Sequence, residues 1–151
     1  MEITIHPHQG INDAKLDMTK DEIRRSIGGE FREYKKGNTE ADQFMGKTIH
    51  AYYDPNGRCK AFEIYAPTKV FLLGVQVTGK PFGEILRWLS AITSDTETNS
   101  SGVRSLEFGV SMFAPYASSD PEEPIQSALV FRRGYWNKKN ETPIEGPRMK
   151  P

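Results

Sequence analysis

The chain has 151 residues, with 20 basic against 20 acidic side chains and so no formal net charge. That length suits one domain with a single core, and the charge balance argues against a protein that holds nucleic acid chiefly by neutralising phosphates. A single cysteine, Cys59, excludes an intramolecular disulfide and a cysteine-based metal cluster.

Taken in chain order, Ile3 and Ile5 alternate with polar residues as in a short strand, and Ile11 to Leu16 is a second strand candidate. Thr19-Lys20-Asp21-Glu22 has the spacing of a capping box, in which the Thr side chain and the Glu carboxylate each satisfy the other residue's free backbone N–H. Ile23 and Ile27 then share one face of a short helix, and Gly28 and Gly29 supply its left-handed stop. Gly37 to Gly46 is polar and reads as a loop or frayed strand end.

Thr48–Tyr53 and Cys59–Tyr65 flank Asp54-Pro55-Asn56-Gly57, a turn sequence that predicts a hairpin. In its second strand Ala61, Glu63 and Tyr65 oppose Phe62 and Ile64, so one face is expected in a core and the other in water. Val70–Leu73 reads as a buried strand. Phe82, Ile85, Leu86 and Leu89 give helical periodicity to about Ile92, with Pro81 suited to the first turn. Thr93 to Gly102 is composed as a loop.

Strands are expected at Val103–Phe108, Val110–Ala114 and Ile125–Trp136, the last with Ala128, Val130 and Tyr135 inward if Gly134 bends it. The whole predicts an α+β single domain over residues 1–136, with a mostly antiparallel, twisted sheet of five or more strands and two helices packed on it. Residues 137–151 read as a polar tail. No internal repeat is evident. The N-terminus lacks a basic segment followed by an apolar one, and no apolar run nears the roughly 20 residues that span a bilayer; the expectation is a cytoplasmic protein without membrane contact.

Candidate chemistry is sparse. His6 and His8 could begin a metal site, yet His50 is the only further histidine, and no metal or cofactor is expected. His50 beside Tyr52, with Asp54 or Glu63 to orient it, has the composition of a general base. Cys59 between Arg58 and Lys60 could be activated, although a buried structural thiol suits the pattern better. Gly79-Lys80 lacks the remainder of a phosphate loop, and Pro81 removes a donor from it. Arg132 and Arg133 beside Tyr135 and Trp136 could stack bases, but a strand end with snorkelling arginines over an aromatic core is the commoner arrangement.

The charge is unevenly spread. Asp95 to Glu123 holds six acids against Arg104 alone, a net −5. Asp95, Glu97, Asp120, Glu122 and Glu123 fall in two polar segments, where their carboxylates could meet a basic protein surface. Phe113, Tyr116 and Trp88 are the nearby aromatic residues able to anchor such an interface.

The run Gly10 to Gly28, the Tyr52-x-Asp54-x-x-Gly57 turn, Leu72-Leu73-Gly74, the Phe82-led helix, Gly109-Val110-Ser111 and Arg133-Gly134-Tyr135-Trp136 together resemble small bacterial immunity-type proteins of polymorphic and contact-delivered toxin systems. Met18-Thr19-Lys20 to Ile23 is also similar to a diverse set of α+β domains that includes periplasmic lipoproteins and inhibitory domains. The likeness extends over most of residues 10 to 136 and departs at Asp17, where such sequences often carry Gly. It implies a stoichiometric inhibitor that binds and occludes a cognate toxin domain; no catalytic residue is expected, and the charge pattern gives the candidate contact as Asp95, Glu97, Phe113, Tyr116, Asp120, Glu122 and Glu123. Two other readings stand beside it: a ligand-binding or enzymatic domain with a pocket near His50, Tyr52 and Tyr65, and an envelope or scaffold interaction module.

Overall fold

The computed structural model describes residues 1–137 and 142–143. The first helix, α1 (Lys20–Ile27), begins as its sequence dictates: the Thr19 N–H donates to Glu22 Oε1 at 2.9 Å and the Glu22 N–H returns a bond to Thr19 Oγ1 at 3.3 Å. Gly28 (φ 75°) and Gly29 (φ 78°) leave the helix in the left-handed region, where a side chain would be strained. Before α1 lie three short strands, β1 (Glu2–His6), β2 (Gly10–Ile11) and β3 (Ala14–Lys15).

After α1 comes a meander of four antiparallel strands: β4 (Phe31–Lys36), β5 (Thr39–Phe44), β6 (Ile49–Tyr53) and β7 (Cys59–Tyr65). The same order then recurs. Two short strands, β8 (Lys69–Leu72) and β9 (Val75–Gln76), lead into α2 (Phe82–Ile92) and a second meander, β10 (Glu97–Asn99), β11 (Gly102–Ser105), β12 (Val110–Phe113) and β13 (Ser127–Phe131). The meanders join edge to edge where β7 pairs antiparallel with β13, giving an eight-stranded sheet in the order β10-β11-β12-β13-β7-β6-β5-β4. The short strands join likewise, β1 running parallel to β8, in a five-stranded sheet ordered β3-β2-β1-β8-β9. The repeat escaped sequence reading because its halves share topology while few residue types match.

The α+β class, the two helices and the dominance of antiparallel pairing follow expectation; among the described residues β1 to β13 form two sheets where one was expected. The main core lies between them. One face of the large sheet contributes Phe44, Ile49, Ala51, Tyr53, Phe62, Ile64, Val103, Val110, Met112, Ala128 and Val130, and meets Ile23 of α1, Phe82, Ile85 and Leu89 of α2, and Ile3, Ile5, Val70 and Leu72 of the small sheet. Burial of this apolar surface is the main stabilising term.

Several expectations are corrected. Gly37 to Gly46 is no loop: Thr39–Phe44 is β5, paired with β4 across the two-residue turn Gly37-Asn38. Its pattern was masked because Asp42, almost wholly buried, occupies a core-facing position, where Arg24 meets its charge with Nε at 2.8 Å and Nη2 at 2.9 Å. The face of β7 expected to be wet is also buried, since Ala61, Leu129, Phe131, Tyr135 and Trp136 form a second cluster there.

The third late strand stops at Phe131, and Gly134 (φ 81°) lies in a turn that carries Tyr135 to that second cluster, opposite to Ala128 and Val130. The loop expected from Thr93 to Gly102 contains β10, and the strand expected at Val103–Phe108 ends at Ser105. Of the expected polar tail, most lies outside the described residues; within it β14 (Trp136–Asn137) pairs with β15 (Thr142–Pro143). No helix among the described residues is long and apolar enough to cross a membrane.

Candidate functional site

The large sheet's second face carries its polar chemistry in one cross-strand row. Reading across the strands, Arg32, Gln43, His50, Glu63, Leu129, Ser111, Arg104 and Glu97 stand side by side, and Leu129 is the sole apolar member. Glu63, 8% exposed, sits mid-sheet, its Oε1 accepting from the Tyr52 hydroxyl and its Oε2 from the Ser127 hydroxyl, each at 2.9 Å. No ion pair to Glu63 occurs among the described residues.

His50 does not use a carboxylate as its orienting partner. Its Nδ1 is hydrogen-bonded to the Tyr34 hydroxyl at 2.6 Å, and the ring stacks on Tyr52 and meets Tyr65 edge-on. Asp54 is elsewhere. It caps its own turn through the Asn56 and Arg58 N–H groups and pairs with Arg132, which also reaches Asp17. Burial opposes its charge, but these bonds prevail and hold Asp54 below the usual carboxylate range.

Burial likewise sets the rest of the cluster. It pushes the Tyr52 and Tyr65 phenols up, with the Glu63 charge adding to the rise, and it holds the His50 imidazole below its ordinary value despite the pull of Glu63. Protonated phenols around a carboxylate and a neutral imidazole form a hydrogen-bonding surface. Sequence reading grouped His50, Tyr52, Tyr65 and Glu63 correctly but missed Tyr34 and Ser127; they belong to strands with no register to the hairpin visible in sequence.

The acidic segments divide. Asp95 accepts from Ser105 Oγ (2.7 Å), the Glu107 N–H (2.6 Å) and Thr93 Oγ1 (3.0 Å), and Glu97 accepts from Arg104 Nη2 at 2.9 Å, so both carboxylates tie β10 and β11 to their surroundings. Trp88 packs against the main core and Phe113 is half-buried at the end of β12. The β12–β13 loop, residues 114–126, is different. Tyr116 stands 65% exposed on it, followed by exposed Asp120 and Glu122 and half-buried Glu123.

That loop is firmly held. Its backbone closes on itself through Asp120 N–H to Tyr116 O and Glu123 N–H to Asp120 O. It is also fastened to the start of α2: the Phe82 N–H donates to Glu123 O, the Gly83 N–H to Pro121 O, and Ile125 and Lys80 are bonded beside a Pro81–Pro124 bridge. The free donors of a helix start are thus spent on fixing this loop.

Other candidates fall to structural roles. Cys59 is fully buried and its thiol is pushed up by burial, the reverse of activation by Arg58 and Lys60. His8 Nε2 bonds to the Glu107 carbonyl at 2.6 Å, and no three His, Cys, Asp or Glu side chains converge as metal ligands among the described residues. Tyr135 and Trp136 are buried against Phe131, and their rings are not free to stack bases. Comparison with family models, with curated proteins and with solved structures gives no match.

Proposed function

We propose that this chain is a stoichiometric inhibitor of the immunity type, which binds a cognate bacterial toxin domain and blocks it by occlusion. The observation that carries the reading is Tyr116 on the β12–β13 loop: a large aromatic side chain left in water on a backbone already fixed by hydrogen bonds. A rigid aromatic loses little freedom on binding and is the kind of residue that dominates interface energy. Asp120, Glu122 and Glu123 follow it on the same loop and give that loop negative charge, which accelerates encounter with a basic surface. The mechanism involves no bond making; the loop fills and shields the partner's cleft.

Co-production with the product of the neighbouring gene tests the reading. The parent chain restores growth and purifies with the toxin as a one-to-one complex, and Tyr116→Ala, though folded, loses protection. Full protection by that variant contradicts the assigned contact. Failure of the parent to protect or bind contradicts the function.

A second reading is favoured by Glu63, a buried carboxylate that accepts from the Tyr52 and Ser127 hydroxyls and makes no ion pair among the described residues. In this reading the surface near His50, Tyr52 and Tyr65 binds a small cationic ligand between carboxylate and aromatic rings. A thermal-shift screen of amines supports it when stabilisation disappears in Glu63→Gln, and contradicts it when no amine stabilises the parent.

A further inference from the structure

The large sheet ends at β4 in an edge six residues long, whereas its other edge, β10, has three, and the small sheet ends in strands of two. Five of the six residues of β4 are exposed, including Phe31 at 39%. An open edge of this length offers a row of backbone donors and acceptors, and proteins ordinarily cover, bulge or shorten such edges.

Which groups point outward follows from the register. The Met45 N–H donates to Glu30 O, and the hairpin closes with Lys36 opposite Thr39 across two residues. Antiparallel bonding alternates, so residues 30, 32, 34 and 36 bond inward to β5. Phe31, Glu33 and Lys35 therefore turn their N–H and C=O groups away from the sheet.

The side chains set the charge. Arg32 and Lys36 lie on the His50 face and Lys35 on the helix face, while the one acid, Glu33, is already paired with Arg24 Nη2 at 2.8 Å. Beside the edge, a groove of about 340 Å³ is lined by Lys20, Arg24, Lys35, Glu33, Glu40 and Asp42; Lys20 is paired with Glu40, and Arg24 with Asp42 and Glu33, which leaves Lys35 as the groove's base outside these pairs. A second copy of β4 fits poorly. Of the two registers that match outward residues to outward residues over five pairs, one sets Glu33 against itself; the other sets Arg32 against Lys36 twice, and its two Glu33–Lys35 pairs call on an acid already held by Arg24.

We infer that β4 is a docking edge for an extended acidic segment of another protein, which adds to the sheet as a ninth antiparallel strand. Acidic side chains on the segment's His50-facing side meet Arg32 and Lys36, and its opposite side lies along Phe31. This surface is basic and separate from the acidic β12–β13 loop, and the inference holds whether or not that loop binds a toxin.

The probe is a capped peptide of alternating Glu and Val, followed by amide hydrogen exchange on the intact chain. Exchange at Phe31, Glu33 and Lys35 slows at least tenfold with the peptide, while Arg32, Tyr34 and Lys36, already bonded to β5, change little. A Lys/Val peptide gives no protection. Lys35→Pro removes one outward N–H without touching the β5 ladder and weakens binding at least tenfold, whereas Lys35→Val, which keeps that N–H, weakens it less. Should Lys35→Pro fail to fold, a Glu/Val peptide N-methylated on its Val residues, whose N–H groups face β4, makes the same test from the ligand side, and it does not bind. Protection that does not alternate, equal binding of the Glu and Lys peptides, binding of the N-methylated peptide, or protection that grows with protein concentration alone overturns the inference.

Discussion

Arg24 stands where three elements meet: it pairs twice with buried Asp42 and once with Glu33, and its guanidinium lies 4.2 Å from the centre of the Phe31 ring. The hydrogen bonds to Asp42 raise its pKa further, so it is charged at every accessible pH. Asp42 also accepts from the Tyr53 hydroxyl at 2.8 Å. Arg24→Met leaves the buried carboxylate with that phenol alone and costs about 3 kcal/mol of stability by urea denaturation, whereas an unchanged midpoint contradicts the pairing. His50 gives a pH test. Its folded pKa lies below the unfolded value, so the unfolded chain binds the proton more readily; the associated stability is present above about pH 6.5 and is lost as pH falls through that value toward the folded pKa. Urea midpoints measured at about pH 7.5 and about pH 5.5 therefore drop less in His50→Gln than in the parent; an equal drop in both contradicts the assignment. Asp17, at φ 72°, occupies the left-handed region that favours glycine, and it keeps a side chain there that bonds to Arg132.

At the scale of elements, the parts legible in sequence were those specified by neighbours in sequence. The capping box places α1, and Thr19→Ala removes a side-chain acceptor for about 1 kcal/mol, read as a lowered urea midpoint; no change means the cap contributes nothing. The turn at Asp54 to Gly57 placed the β6–β7 hairpin, and the three- and four-residue spacing of Phe82, Ile85 and Leu89 placed α2. What stayed hidden depends on distant partners. β4 reads as a polar stretch because it is an edge with little to bury, and β5 because Asp42 interrupts its apolar alternation. In the same way, Asp95 and Glu97 look like free surface acids until Ser105, Glu107 and Arg104 are brought to them by the second meander. Tyr116, Asp120 and Glu122 were legible as exposed, yet the bonds from α2 that hold their loop were not.

Across the whole molecule, two meanders share one seam at β7–β13 and the two groups of short strands share another at β1–β8, with a common core between the sheets. Neither half can bury its apolar faces alone, so the chain unfolds as one unit: tyrosine fluorescence and far-ultraviolet dichroism give coincident urea transitions, and two separated transitions contradict the shared core. The repeated order also explains the position of the proposed contact, since the β12–β13 loop is the counterpart of the tight β6–β7 turn, enlarged from a few residues to a platform fastened on α2. The central claim is that this platform binds a basic toxin surface, with Tyr116 as anchor and the acids as steering charges. Binding kinetics against the cognate toxin domain at two salt concentrations test it most directly. Glu122→Lys with Glu123→Lys slows association and flattens its salt dependence, while Tyr116→Ala speeds dissociation by an amount equivalent to about 2 kcal/mol. Parent-like rates in both variants contradict the account.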